Sequence, residues 1–320
     1  MKKFLKRFFY FLAALYVFLW GLQLIADFGL RNNYSPVYYE WSSVTNGKIN
    51  SDIVIFGSSR ALKHFDPAVF ERKLNRSAYN LGADGAPYGF QLLKVKNYLA
   101  NNKEPEFIIQ NVDILSMSQE RKLLQKEKYF PYYYSLEALK IMSKYDDNIV
   151  WEAILPVYKY RGYRDEFFMG LGSHFFNFER KMRGYKGYIG STDTWDNSFE
   201  AFKNEYPDVF DQDFEPGYED FLSIISEINK TKTTLFLVWS PEYYKLQEFE
   251  GDLLPKMKLK YSNLAASNDN IYFLDYTKDS LNYSTDYFYN FNHLNKKGAT
   301  ILSTRVADTI NWIMQQKTKE

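Results

Sequence analysis

The chain has 320 residues, a formal net charge of +1, no cysteine and only three histidines. Disulfides, thiolate nucleophiles and cysteine-ligated zinc are therefore excluded, and there is no global basic field to attract nucleic acid. The length accommodates one large α/β domain with an insertion, or two small domains. Imidazole chemistry must come from His64, His174 or His293. Aromatic residues make up 19% of the chain, with 28 tyrosines. So many tyrosines cannot all be buried, and exposed ones suit contact with sugars or partner surfaces.

Lys2, Lys3, Lys6 and Arg7 precede an uncharged run from Phe8 to Ala26, and Asp27 follows it. The run matches the hydrocarbon thickness of a bilayer crossed as a helix. Basic residues before it predict a cytoplasmic N-terminus, with everything after about residue 27 outside. A cleaved signal peptide would have a shorter apolar core and a small-x-small site. Here Ala13-Ala14 falls too early and Leu24-Ile25-Ala26 fits poorly, so residues 1–27 are expected to be an uncleaved anchor in a bacterial inner membrane. Residues 28–50 are expected to form a polar connector.

Residues 52–66 read DIVIFGSSRALKHFD. Ile53 to Phe56 is a continuous apolar run, as in a strand buried on both faces of a parallel sheet. It stops at Gly57-Ser58-Ser59-Arg60, and Asp66-Pro67 supplies an N-cap and a first helical position for a helix to about Leu74. Ser77 to Leu81 reads as a second strand, ending in Gly82-Ala83-Asp84-Gly85, a turn where backbone can approach a ligand. A helix over 88–101 and a third strand over 106–112 follow. Further strands are expected over 234–239 and 271–274, with helices over 252–267 and 298–315. This alternation predicts βαβ units in a five-stranded, doubly wound parallel sheet over residues 51–316.

Between residues 116 and 217 the alternation is lost, over far more chain than an ordinary loop. This insertion is rich in aromatics, among them the run Tyr129 to Tyr134, with a helical piece near 135–145. It reads either as a helical cap or as a substrate-binding subdomain.

His293 lies in YFYNFNHLNKKGA, after the fifth strand and before the final helix. Segments after strands one and five of a parallel sheet can reach the same carboxyl edge, so Ser59 and His293 could meet there. A serine needs a base within hydrogen-bond reach to act as a nucleophile, and an imidazole suits that task. The P-loop, the nucleotide glycine fingerprint and the spaced-histidine zinc motif are all missing, so neither cofactor nor metal is expected.

With these blocks in place, the chain resembles the SGNH/GDSL hydrolase superfamily, especially its membrane-anchored cell-envelope branch, which includes relatives of alginate acetylation and teichoic acid D-alanyl transfer proteins. The resemblance covers about residues 50–115 and 230–316. It implies a flavodoxin-like fold, with Ser59 of Gly57-Ser58-Ser59 as nucleophile and His293 as base. It also implies an oxyanion hole from the Ser59 and Gly85 amides, with Asn111 or Asp113 in the block that supplies an asparagine donor. Two departures stand out. Ser58 replaces the family's aspartate, and Asn290 replaces the carboxylate that usually stands three residues before the histidine. An amide can orient the ring but contributes no charge. Asp286 could substitute if its loop bends suitably, or a backbone carbonyl could orient a Ser-His dyad. Arg60 either pairs with an acidic neighbour or binds an anionic substrate group.

The resemblance implies a serine esterase or O-acyltransferase, commonly transferring acetyl, that acts on cell-envelope polysaccharide. Its partners would be a glycan or acyl donor and a polytopic membrane O-acyltransferase. Asn290 favours a rival from another class, a non-catalytic scaffold that assists such machinery. A carbohydrate-binding module is a third reading.

Overall fold

The computed structural model describes residues 1–33, 35–119, 126–132, 135–176 and 184–317. In chain order its elements begin with α1 (Lys2–Arg31), α2 (Pro36–Thr45), β1 (Ile53–Phe56), α3 (Ser59–His64), α4 (Pro67–Leu74), β2 (Ala78–Asn80), α5 (Tyr88–Asn101) and β3 (Phe107–Asn111). Then come α6 (Leu136–Met142), α7 (Ile149–Ile154), α8 (Arg164–Gly172), α9 (Phe199–Glu205), α10 (Glu215–Ile228), β4 (Thr234–Trp239), α11 (Tyr244–Glu250), α12 (Leu253–Ala266) and β5 (Ile271–Asp275). The chain closes with β6 (Phe288–Asn290), β7 (His293–Leu294) and α13 (Lys296–Lys317). Contacts divide it into two compact units, Met1–Ser43 with Lys122–Met182, and Val44–Arg121 with Arg183–Glu320.

The larger unit holds a five-stranded, wholly parallel sheet in the order β2-β1-β3-β4-β5. This is the flavodoxin-like doubly wound order. Side chains of a strand alternate between its faces. Ile53, Ile55, Phe107, Ile109, Phe236 and Val238 pack with Phe65, Phe70 and the α13 residues Leu302, Val306 and Ile310. On the other face Phe56 meets Tyr98 of α5, and Trp239 meets Tyr261 of α12. Burial on both faces explains why these strands read as unbroken apolar runs. The direction in which strands are added reverses between β1 and β3, so the connections leaving their carboxyl ends go to opposite faces and diverge.

Three local features depart from the sequence reading. A short helix, α3, precedes α4, because Ser58 caps it by accepting from the Arg60 N–H. The stretch 28–50 is not a bare connector, since it carries the end of α1 and all of α2. A two-stranded antiparallel hairpin, β6-β7, stands beside the main sheet. The latter part of the insertion belongs to the sheet unit. Lys186 C=O accepts from Asn80 N–H, Ile189 N–H donates to Leu62 C=O, and Asp196 N–H donates to Tyr289 C=O.

The smaller unit is built on α1, which is long and apolar enough to be a membrane anchor or a signal sequence. Its C-terminal half packs on α8 at Gly29 and Gly170. A Cβ on Gly29 would lie 1.8 Å from the Gly170 carbonyl oxygen, so only glycine allows this approach. Phe130 meets Tyr160 and Tyr163 edge-to-face, Phe167 lies tilted against Tyr160, and Lys159 forms a buried ion pair with Asp27 at 2.7 Å. Tyr133 and Tyr134 of the aromatic run lie outside the described residues.

Candidate active site

The site grows from the end of β1. Gly57 has φ +148°, and a Cβ there would lie 2.6 Å from the Ala61 Cβ and 2.9 Å from the Asn111 Cβ. Only glycine lets the chain turn so tightly from strand into α3. The turn leaves Ser59 half-exposed at the first position of α3, between buried Ser58 and buried Arg60.

At the other end of the chain, β6 and β7 are joined by Phe291-Asn292, which makes Asn290 and His293 cross-strand partners. Their side chains therefore meet. His293 Nδ1 lies 3.0 Å from Asn290 Oδ1, and His293 Nε2 lies 2.7 Å from Ser59 Oγ. Asn290 Oδ1 also accepts the Asn292 N–H at 3.0 Å, which fixes the amide with its oxygen toward the ring. An acceptor at Nδ1 puts the proton there and leaves the Nε2 lone pair for the serine hydroxyl. This is the tautomer a general base requires. Tyr289 stacks flat on the imidazole with ring centroids 5.5 Å apart.

The hairpin is held from several sides. Phe202 of α9 stacks on the tip residue Phe291 at 4.5 Å, and Phe199 meets the same ring edge-on. Arg60 places Nε and Nη2 at 2.8 and 2.6 Å from Asn292 Oδ1, and its Nη1 pairs with Glu242. The residue after the serine is thus tied to the residue before the histidine. Glu242 also accepts from Trp239 Nε1 at 2.7 Å. Glu250, buried beside Glu242, has its pKa pushed well above the carboxylate range, first by burial and then by the Glu242 charge. Burial thus favours its protonated form. Buried His64 accepts the Leu294 N–H at Nε2, 2.9 Å away, and faces Ser240 Oγ at 3.0 Å with Nδ1. Burial, then the neighbouring His293 and Arg60, hold its pKa well below the usual imidazole value, so it stays a neutral acceptor.

Of the residues singled out from sequence, Ser59, His293 and Asn290 come together, and Arg60 braces them through its ion pair with Glu242 and its bonds to Asn292. Gly85 occupies a left-handed turn at φ +60° in the loop after β2. That loop is tied to the serine turn through the Ala83 N–H and Gly57 C=O, 3.1 Å apart. As the first residue of α3, Ser59 has an amide with no intrahelical acceptor.

Three expectations are corrected. Asn111 is fully buried and places Nδ2 on Val238 C=O at 3.0 Å and Ser240 Oγ at 3.3 Å, so both its donors face the interior rather than a substrate. Asp113 is buried as well. It accepts from Ser58 Oγ, Ser116 Oγ and the Ser116 N–H, so it supports the serine turn and is not an oxyanion donor. Asp286 is exposed, its backbone carbonyl accepts from Asn295 Nδ2, and Asn290 holds the place it would need. Sequence reasoning did not single out Asn292, Glu242, Glu250 or Tyr289. Nothing in their spacing marks them: Asn292 and Glu242 act through the distant Arg60, and Tyr289 and Glu250 act through packing that no motif signals.

No protein-family model and no curated protein matches the chain. Among solved structures, a chain from Streptococcus pneumonia provisionally described as a platelet activating factor is similar over 93% of this chain and 97% of that one. The identity is 12% and the TM-score 0.41, values at which the likeness carries no functional inference.

Proposed function

We propose that this chain is a membrane-anchored serine esterase or O-acyltransferase of the SGNH/GDSL kind, with Ser59 as nucleophile and His293 as general base. The observation that carries the reading is the Ser59 Oγ to His293 Nε2 distance of 2.7 Å, with the second ring nitrogen on Asn290. Ser59 attacks the ester carbonyl as His293 takes its proton. The alcohol leaves with that proton, and water or a second hydroxyl then releases the acyl group. The Ser59 and Gly85 amides are the candidate oxyanion donors. The substrate class is an O-acyl, commonly O-acetyl, group on a cell-envelope polysaccharide. The basic cluster in the first turns of α1 favours a cytoplasmic N-terminus and a catalytic unit outside the inner membrane. A polytopic membrane O-acyltransferase would be a fitting partner, as donor or acceptor of the acyl group.

A second reading, a non-catalytic scaffold for such machinery, is favoured by Asn290, which leaves the imidazolium without a carboxylate. Full-length protein in detergent, treated with a fluorophosphonate and assayed on p-nitrophenyl acetate, separates the two. The enzyme reading expects labelling and turnover that Ser59→Ala abolishes. A folded protein that neither labels nor turns over supports the scaffold. Turnover unchanged in Ser59→Ala ends the catalytic assignment.

A further inference from the structure

The polar side chains of α1 gather on one face. Tyr16, Gln23 and Asp27 recur at helical spacing, and each binds the segment that follows α6 in the same unit. The Tyr16 hydroxyl donates to Ile154 C=O at 2.8 Å. Gln23 Oε1 accepts the Val157 N–H at 2.6 Å, and Asp27 takes Lys159 Nζ at 2.7 Å. His174 Nε2 lies 3.0 Å from Ile25 C=O, and its ring stacks on Phe28. The segment therefore runs beside α1 down to the level of Tyr16.

That level is deep. At a rise of 1.5 Å per residue the run from Phe8 to Ala26 spans about 28 Å, close to a hydrocarbon core of about 30 Å. Tyr16 lies about 15 Å below Ala26 on the same rise. Helical side chains tilt toward the N-terminus, which carries the hydroxyl no higher than its own Cα. The Ile154 carbonyl is an orphan acceptor at the end of α7, and in hydrocarbon neither it nor the tyrosine hydroxyl could turn to water. Each satisfies the other. Glu152, the one charged side chain in residues 149–157, is likewise used internally, buried between Lys126 at 2.8 Å and Arg161 at 2.9 Å, whereas the exposed Arg161, Arg164 and Asp165 come after the Lys159–Asp27 pair. Large apolar side chains face outward, with Trp151 57%, Ile154 49%, Phe168 66%, Phe175 83% and Phe176 66% exposed.

We propose that residues 149–157, which form α7 and follow it, lie in the bilayer, immersed in the leaflet crossed by the C-terminal half of α1, so that the apolar face of Trp151 and Ile154 contacts lipid. The inference rests on the reading of α1 as a membrane anchor. The unit then holds the membrane by a span plus a lateral wedge, with Phe175 and Phe176 at the depth of Ile25, near the polar boundary where aromatic rings settle.

The absence of cysteine makes the test clean. Ile154→Cys and, as a second probe of the same depth, Leu155→Cys are labelled with a small fluorophore in the full-length chain. Phe11→Cys reports α1, and Lys140→Cys reports the exposed face of α6. The proteins are reconstituted in phosphatidylcholine–phosphatidylglycerol vesicles and quenched by acyl-chain nitroxides or by aqueous iodide. The labels at 154 and 155 are expected to lose fluorescence to the nitroxide, as at 11, and to resist iodide, unlike that at 140. Iodide quenching at 154 and 155 with lipid quenching kept at 11 overturns the proposal alone. Iodide quenching at 11 overturns the anchor reading and the proposal with it. Protection of 154 and 155 from both quenchers would mean that a second copy covers the face, and that too overturns lipid contact.

Discussion

Asn290 decides how strong the proposed base can be. It supplies the hydrogen bond that sets the His293 tautomer but no charge to stabilise the imidazolium. Its Oδ1 takes both the ring and the Asn292 N–H, and among the described residues its Nδ2 makes no hydrogen bond. A carboxylate would keep every contact shown. Asn290→Asp is therefore expected to raise kcat/KM on acetyl esters. The opposite exchange in a serine protease costs about four orders of magnitude, which bounds the gain. A fall in kcat/KM with intact folding would show that the amide itself is needed. Below this pair sits the Arg60, Glu242 and Glu250 cluster. Arg60→Ala would strand Glu242 as a buried, uncompensated charge, a loss of about 3–5 kcal/mol in urea unfolding. Glu250 carries the pH dependence. Its folded pKa is raised, so the native state keeps a proton that the unfolded chain releases as pH rises above the ordinary glutamate value. Stability from this group is therefore full in acid and is lost as pH climbs toward the raised value. Glu250→Gln keeps the side chain's size without the titration. Its urea midpoint relative to the parent is expected to improve between pH 5 and pH 8, and a constant difference would refute the raised Glu250 pKa.

The β6-β7 hairpin is the element on which the site turns. A two-residue connection brings residues 290 and 293 opposite each other, so the short spacing in sequence becomes a side-chain contact in space. The hairpin is pinned by rings rather than by its own brief ladder. Phe291→Ala removes the stacked contact with Phe202, and aromatic pairs contribute about 0.5–1.5 kcal/mol beyond area burial. The expected result is a modest loss of stability with a larger fall in kcat than in 1/KM, as the imidazole drifts from Ser59. Equal effects on both would place Phe291 in substrate binding instead. This element was not legible beforehand, because YFYNFNHL lacks the Asn-Gly or Gly-rich signature of a tight hairpin. The five parallel strands were legible, since apolar runs such as IVIF and TLFLVW leave little else for those residues to be. Helix α3 was hidden by its brevity and by serines that read equally well as loop.

At the scale of the molecule, the parallel sheet and the convergence of its first and last loops could be anticipated, because parallel strands put those loops on one edge, while the strand order came only with the family resemblance. The braces could not, since Arg60, Asn292 and Glu242 are paired by packing and not by any period in the chain. Nor could the fate of the insertion, whose Lys122–Met182 part clusters with Met1–Ser43 while the rest straps the sheet unit. That clustering bears on how the protein can be handled. Asp27 is the carboxylate facing Lys159, and both are sealed from solvent. Deleting residues 1–27 would strip that counter-ion and uncover the seat of Ala26 against Gly170. The trimmed form is expected to be less stable by about 3–5 kcal/mol within that unit and to bind hydrophobic dye. Matching unfolding curves for trimmed and intact chains would refute this. The leader-like helix thus doubles as an internal chaperone for its own neighbour, and a water-soluble preparation should remove both pieces together or neither.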